Sequence, residues 1–96
     1  RLQNAGADFV LLECVPNEVG KLITEALAVP VIGIGAGPDV DGQILVLYDI
    51  LDITQGRTPK VVRKFQADCS SPLEAVSSYV HAVKDRSYPA PEHCFS

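Results

Sequence analysis

The first third of the chain places two short apolar runs on either side of one amphipathic segment. The run Asp8–Glu13 carries Phe, Val and Leu without polar alternation, which is typical of a parallel strand covered on both faces. Pro16 and Asn17 then open a predicted helix whose apolar positions recur at helical spacing, namely Val19, Leu22, Ile23, Ala26 and Leu27. A second apolar run, Pro30–Ile34, follows after two residues. This pattern predicts a strand–helix–strand unit and therefore a parallel sheet.

The middle of the chain is less regular. Residues 33–42 hold four glycines directly after the second strand, which predicts a loop with room for a ligand against the backbone. The pattern of residues 43–51 is too apolar for a loop but does not separate strand from helix. Beyond a second loop at residues 53–59, we predict a short helix at Lys60–Phe65 and a turn at Asp68–Ser71.

The last predicted helix has the clearest start signal in the chain. Ser71 can cap it, Pro72 occupies its first turn, and Glu74 completes a capping box. We expect the helix to end near Arg86 and to bury an apolar stripe made of Leu73, Val76, Tyr79, Val80 and Val83. Residues 87–96 carry two prolines and no period, so they are either frayed or docked on another element.

Composition narrows the class of protein. A hydrophobic content of 47% with 21% charged residues is typical of a globular protein, and a net charge of −4 excludes the basic footprint of a nucleic-acid binder. The apolar runs are far too short to span a membrane. Three cysteines without a disulfide or zinc spacing favour a reduced, cytoplasmic setting. Met is absent and Arg1–Ala5 has the pattern of a helix end closed by Gly6, so we expect a piece of a longer protein.

Glu13 is the first candidate for chemistry, because it is a lone acid at the end of an apolar strand. In α/β proteins, ligands gather at the carboxyl ends of parallel strands, and strand alternation puts Glu13 on the same side as Leu11. Three interpretations stay open on position alone. Glu13 acts in catalysis, it caps the next helix or pairs with a lysine, or it is a solvated strand-end acid.

The glycine loop is a weaker candidate. Residues 33–37 lack the dinucleotide spacing, so the loop either binds a ligand such as phosphate or is a tight turn with close neighbours. We expect His81 at the surface, and we do not expect a metal site at His93, because a terminal tail makes a poor rigid site. The spacing of Asp39, Asp41, Asp49 and Asp52 is that of a solvated loop. We expect Cys14 to be buried as a small apolar residue.

Two motifs together resemble a known family. "LLECVP" and "PVIGIGAG…DGQILV", followed by the ending "YPAPEHCF", are similar to the C-terminal part of the ketopantoate hydroxymethyltransferase family, over essentially all 96 residues. The resemblance implies an α/β fold, with residues 1–96 as the C-terminal fragment of a single (β/α)8 barrel domain. That fragment would supply the last two βα units and the trailing helices of the barrel.

The resemblance also implies a reaction. The family transfers a hydroxymethyl group from 5,10-methylenetetrahydrofolate to 3-methyl-2-oxobutanoate, giving 2-dehydropantoate in pantothenate synthesis. The family's proton-abstracting acid corresponds to Glu13, and the substrate-pocket wall would include Ile34, Gly35, Ala36 and Gly37. The family depends on magnesium, whose ligands are expected outside these residues, so no metal site is assigned to this fragment.

The chain is also expected to act together with other molecules. The resemblance implies a small 2-oxo acid, the folate co-substrate, the remainder of the barrel and a homo-oligomer as partners, without nucleic acid or membrane. Two other functions stay open: a non-catalytic structural or oligomerisation module, and a phosphate-binding barrel enzyme. Because the strand edges await neighbours, we expect residues 1–96 expressed alone to self-associate, bind no magnesium and be inactive.

Overall fold

The computed structural model describes residues 1–95, and these form two compact units. The first unit comprises Arg1–Ile44 together with Cys94 and Phe95. The second comprises Leu45–His93.

The first unit is built on a parallel sheet. It contains β1 (Val10–Glu13), α1 (Asn17–Ala26), β2 (Val31–Ile34) and β3 (Gly42–Gln43), and the strand order is β1-β2-β3. Both strand pairs are parallel. The predicted strand–helix–strand unit is therefore confirmed, with β1 beginning two residues later than the apolar run suggested.

The two faces of this sheet are covered differently. Val10 pairs with Val31, and both side chains are buried, with Val31 fully inaccessible. A cavity of about 240 Å³ is lined by residues of both β1 and α1, so α1 lies over this face of the sheet; its lining includes Val10, Leu12, Ile23 and Leu27. The opposite face carries Leu11 and Glu13. Leu11 is 58% exposed there, so an apolar side chain of the sheet stands uncovered on the face that carries the acid.

The segment before β1 is a short helical turn. The amide of Ala5 donates to the carbonyl of Arg1, and Gly6 ends the turn at a φ of 104°. The helix end predicted at Gly6 is thus confirmed, since glycine adopts this left-handed conformation without strain. The Gln3 side chain accepts hydrogen bonds from the amides of Ala28 and Val29, which ties the turn to the segment after α1.

Residues 43–51, which the pattern left undecided, divide between two elements. Gln43 ends β3, and its side-chain amide donates to the carbonyl of Gly37. A short helix, α2 (Leu47–Ile50), follows in the second unit. Only Gln43 of this run lies in a strand, residues 44–46 connect it to α2, and a single period therefore does not describe the run.

The second unit has an aromatic core. Phe65 is 1% exposed and packs edge-on against Tyr79 and Tyr88, with ring centroids 5.5 Å and 5.3 Å away. The Tyr88 hydroxyl donates to the Val61 carbonyl. The guanidinium of Arg63 lies 4.7 Å from the Phe65 ring centroid, which adds a cation–π contact at the edge of this core.

The long helix of this unit, α3 (Pro72–Lys84), begins as predicted. The Ser71 hydroxyl accepts from the amide of Glu74 at 3.2 Å, which confirms the cap. The carboxylate of Glu74 bonds to the amide and hydroxyl of Ser70, one residue before the expected partner. These two hydrogen bonds lower the pKa of the Glu74 carboxyl below its usual value, and the bond from the Ser70 amide has the larger effect.

Two sequence predictions in this unit need correction. Three residues of the expected stripe, Val76, Tyr79 and Val83, do pack against the core. Leu73 and Val80 are instead 79% and 40% exposed, and the buried positions of α3 are Ala75 and Ala82, which the prediction left out. Small alanines let the helix approach the Phe65 core closely, and the pattern of large apolar residues did not show this. The helix expected at Lys60–Phe65 is also absent from residues 1–95, where a short 3-10 helix at Phe65–Asp68 takes its place.

The end of the chain is docked. A 3-10 helix at Pro91–His93 ends the second unit, and Phe95 forms an isolated parallel bridge with Pro16 in the first. Ser96, the last residue of the predicted tail, lies outside the described residues. None of the helices within residues 1–95 is long and apolar enough to span a membrane.

Candidate active site

Glu13 is the last residue of β1 and lies beside the start of the glycine loop. It pairs with Ile34 in the parallel register, and the amide of Cys14 donates to the Ile34 carbonyl at 2.9 Å. The next amide, that of Val15, donates to the Gly35 carbonyl at 3.0 Å. The expected proximity of the two strand ends is therefore confirmed at the level of single hydrogen bonds.

The carboxylate of Glu13 is exposed. Among residues 1–95 it neither forms an ion pair nor caps α1, whose N-cap residue is Pro16 without a side-chain cap. The interpretation of Glu13 as a helix cap or lysine partner is thus not supported in the described part of the chain. Both oxygens of such a carboxylate are available to accept a proton or a hydrogen bond from a ligand.

The glycine loop packs tightly against α1. Ala36 is 1% exposed, and a Cβ added at Gly20 of α1 would collide with the Ala36 carbonyl oxygen. Gly37 has a φ of 82°, and a Cβ there would lie 2.5 Å from the Asn17 side-chain oxygen. At these positions small residues are required because neighbours press close, which is the tight-turn alternative considered for the loop.

The four predicted wall residues therefore divide into two pairs. Ile34 and Gly35 lie next to the end of β1, with Ile34 half-buried and Gly35 at a φ of 67°. Ala36 and Gly37 are buried and face α1. Only the first pair is adjacent to Glu13, so only these two are placed to border a ligand held by the carboxylate.

Cys14 differs from its prediction. It is exposed, not buried, and its φ is 53°, in the left-handed region that residues with a Cβ rarely adopt. The chain has to turn sharply here because the amides of Cys14 and Val15 both bond to the neighbouring strand end. Such strained backbone clusters at functional sites, where surrounding contacts hold it in place. The strain directly follows the candidate acid.

The remaining candidates are surface residues or have partners within the fold. His81 is exposed, as expected. Asp41 accepts from the Val31 amide at 2.8 Å, Asp49 accepts from the Thr54 hydroxyl, and Asp52 pairs with Lys64 at 3.4 Å. These aspartates have structural partners of their own.

His93 serves the fold of the tail. Its Nδ1 accepts a hydrogen bond from the Ala90 amide at 3.1 Å, and its ring packs on Tyr88. Burial lowers the pKa of His93 below its usual value of 6.5. Within residues 1–95, no three His, Cys, Asp or Glu side chains are grouped so that they could hold a metal ion. The residues described here do not fit a magnesium site.

Sequence reasoning missed three residues around the site. Gly20 has no side chain and so lets the glycine loop pack closely on α1, and Asn17 packs on Gly37. The carbonyl of Phe95 accepts from the first amide of α1. A signal existed for Gly20, because a glycine inside a helical pattern costs stability unless it has a packing role. No local signal identifies Phe95, whose contact joins distant parts of the chain.

The fold and the site have the arrangement of an α/β enzyme, with an acid and a glycine loop at the carboxyl ends of neighbouring parallel strands. Residues 1–91 match the model of the family described as ketopantoate hydroxymethyltransferase. The chain belongs to the ketopantoate hydroxymethyltransferase family. This confirms the resemblance carried by the strand-end motifs.

Individual relatives support the same assignment. The chain is 54% identical over 94 residues to 3-methyl-2-oxobutanoate hydroxymethyltransferase of Marinobacter nauticus, covering 98% of this chain and 36% of the relative. It is 52% identical to proteins of the same name from Chromohalobacter salexigens and Yersinia enterocolitica, with the same coverage of each chain. The chain thus spans about a third of the length of the curated relatives it matches.

Proposed function

We propose that this chain supplies the proton-abstracting base and part of the substrate pocket of a 3-methyl-2-oxobutanoate hydroxymethyltransferase. The complete protein would be a (β/α)8 barrel in which residues 1–96 form the C-terminal part of one domain. The observation that carries the proposal is the position of Glu13, free and exposed at the end of a parallel strand beside the glycine loop. The family membership supplies the reaction.

The uncovered face of the sheet supports the barrel. Parallel sheets are normally covered on both faces, yet Leu11 is 58% exposed and Phe9, before the strand, is 67% exposed. In a barrel, side chains on the face opposite the helices fill the interior. The face that carries Glu13 would then line the interior and open at its carboxyl-end mouth, where barrel enzymes hold their catalytic groups.

The chemistry assigned to the chain is a single proton transfer. The Glu13 carboxylate takes the proton from C3 of 3-methyl-2-oxobutanoate, and the electron pair of that C–H bond forms the enolate. The enolate carbon then bonds to the methylene carbon of 5,10-methylenetetrahydrofolate, and water supplies the hydroxyl oxygen to that carbon. Both C–N bonds of the methylene bridge break, and the two nitrogens take up the proton released by water and the proton that Glu13 removed. The products are 2-dehydropantoate and tetrahydrofolate. General-base catalysis of this kind requires the base within hydrogen-bonding reach of the proton.

Ile34 and Gly35 would form the wall next to the substrate, since they border the Glu13 strand end. Magnesium is part of the proposal for the complete protein, with ligands outside residues 1–96, and no step is assigned to it here. The resemblance further implies a cytoplasmic homo-oligomer, and both stay predictions. The alternatives, a structural module or a phosphate-binding barrel enzyme, would leave Glu13 without a catalytic role.

The test uses the full-length protein that contains this chain. Glu13→Gln keeps the shape of the side chain and removes its basicity, so we expect 3-methyl-2-oxobutanoate to bind with similar affinity in calorimetry. Formation of 2-dehydropantoate should fall at least about 100-fold. Glu25→Gln, an exposed carboxylate on α1, is the matched control and should leave turnover unchanged. Equal turnover of the two variants would remove Glu13 from the mechanism.

A further inference from the structure

The backbone between β1 and α1, residues 14–17, is held from two sides. On one side the amides of Cys14 and Val15 bond to the glycine-loop strand end. On the other side Pro16 bridges to Phe95, and the Asn17 amide donates to the Phe95 carbonyl at 3.0 Å. The junction that follows Glu13 is therefore fixed both by its neighbouring strand and by the end of the chain.

The contact from Phe95 compensates for a missing cap. The first amides of a helix lack partners within the helix, and most helices satisfy one of them with a Ser, Thr, Asp or Asn side chain at the N-cap. Here the N-cap is Pro16, which provides no such side-chain bond. The Phe95 carbonyl satisfies the Asn17 amide in its place, and the adjoining Cys94 is buried at 7% exposure.

The junction needs such a restraint because it is strained. Cys14 at a φ of 53° occupies a conformation that is unfavourable for a non-glycine residue and persists only where surrounding contacts impose it. The carbonyls of Ile34 and Gly35 accept from the amides of Cys14 and Val15, and Phe95 holds the two residues that follow, Pro16 and Asn17.

We propose that Cys94 and Phe95 form a positioning segment for the active site, in which the main chain of Phe95 fixes the direction of the Glu13 carboxylate. This proposal rests on the proposed function, because it concerns the alignment of the same base. Phe95 itself touches neither base nor substrate in this account; it acts through residues 14–17. A cleft of about 340 Å³ lined by Pro16, Asn17, Glu18 and Phe95 adjoins the contact, so the segment covers the junction without enclosing it.

The experiment compares the full-length protein with a shortened chain from which Cys94 and Phe95 are deleted. Misaligning a general base lowers the rate of the bound complex more than the binding of substrate. We expect kcat for 2-dehydropantoate formation to fall about 10-fold, with KM for 3-methyl-2-oxobutanoate within about twofold. Amide hydrogen exchange at Asn17 should lose its protection. Glu92→Gln, an exposed neighbour of the segment, is the control and should match the parent protein.

A purely structural role for the segment would give a different result. It would lower the melting temperature and leave kcat per folded molecule unchanged, which would overturn the proposal. If the shortened chain does not fold, the double variant C94G/F95G loosens the same main chain and is judged by the same split between kcat and KM. Phe95→Leu, which keeps the carbonyl and an apolar side chain, should restore kcat.

The two proposals fail in distinguishable ways. If Glu13→Gln turns over normally, the proposed function fails whatever the shortened chain does. If Glu13→Gln is inactive but the shortened chain keeps its kcat, the base stands and the positioning segment is refuted. A loss of kcat in both, with KM unchanged in the shortened chain, supports both.

Discussion

Gly20→Ala tests the packing that places the glycine loop beside Glu13. In an unconstrained helix this change stabilises, because alanine is favoured over glycine by about 0.8–1 kcal/mol per residue. At Gly20 the added Cβ would collide with the main-chain carbonyl oxygen of Ala36. Neither partner is a flexible side chain, so α1 and the loop would have to separate by about 1 Å to restore a normal non-bonded distance.

The clash should outweigh the helix propensity. Overpacking of this kind costs about 1–3 kcal/mol, so after the propensity gain we expect the free energy of unfolding to fall by up to about 2 kcal/mol instead of rising. Urea denaturation of the full-length protein measures this, with the exposed Glu25→Ala on the same helix as the control. Because the loop would shift beside the base, turnover should fall as well. Stabilisation by Gly20→Ala would refute the close contact between α1 and the loop.

Three further predictions concern the cap, the tail and the loop. Ser71→Ala removes the hydroxyl that accepts from the Glu74 amide, so it should lower the free energy of unfolding by about 1 kcal/mol. The control Ser77→Ala, at an exposed position of the same helix, should lower it by less. Equal effects of the two substitutions would contradict the cap. Because burial lowers the pKa of His93, the folded state binds fewer protons than the unfolded state as the pH falls below 6.5. The contribution of His93 to stability is therefore complete above pH 6.5 and is lost as the pH falls through the pKa of the folded state. An NMR titration of His93 should show a pKa below 6.5, and one above 6.5 would contradict this. Gly35→Ala, at a φ of 67°, should raise KM for 3-methyl-2-oxobutanoate in steady-state kinetics by straining the pocket wall; an unchanged KM would place Gly35 outside the pocket.

The parts of the fold that sequence predicts are those set by local pattern. The strand–helix–strand unit follows from one period change and short connections, and the α3 start follows from Ser71 and Pro72 in sequence. The buried face of α3 was predicted only in part: Val76, Tyr79 and Val83 pack on the core, but Ala75 and Ala82 were missed because only large apolar residues were counted. A pattern of hydrophobicity ranks side chains by size and does not register where a neighbour demands a small one.

In the candidate site, too, sequence predicts the features set by local pattern and misses those set by long-range contacts. Glu13 could be singled out because a lone acid ends an apolar strand, and strand ends are where α/β proteins hold ligands. The conformation of Cys14 and the bond from Phe95 to Asn17 could not be predicted, since both depend on hydrogen bonds between segments far apart in the chain. Long-range contacts of single backbone groups leave no trace in residue type.

In the proposed reaction, Glu13 abstracts the C3 proton of the substrate. The most direct test follows deuterium uptake at C3 of 3-methyl-2-oxobutanoate by NMR, in the full-length protein without folate, so that only the proton transfer is observed. The parent protein should exchange the proton catalytically, and Glu13→Gln should slow that exchange by at least about 100-fold while still binding the keto acid. Exchange at the parent rate in Glu13→Gln would contradict the account.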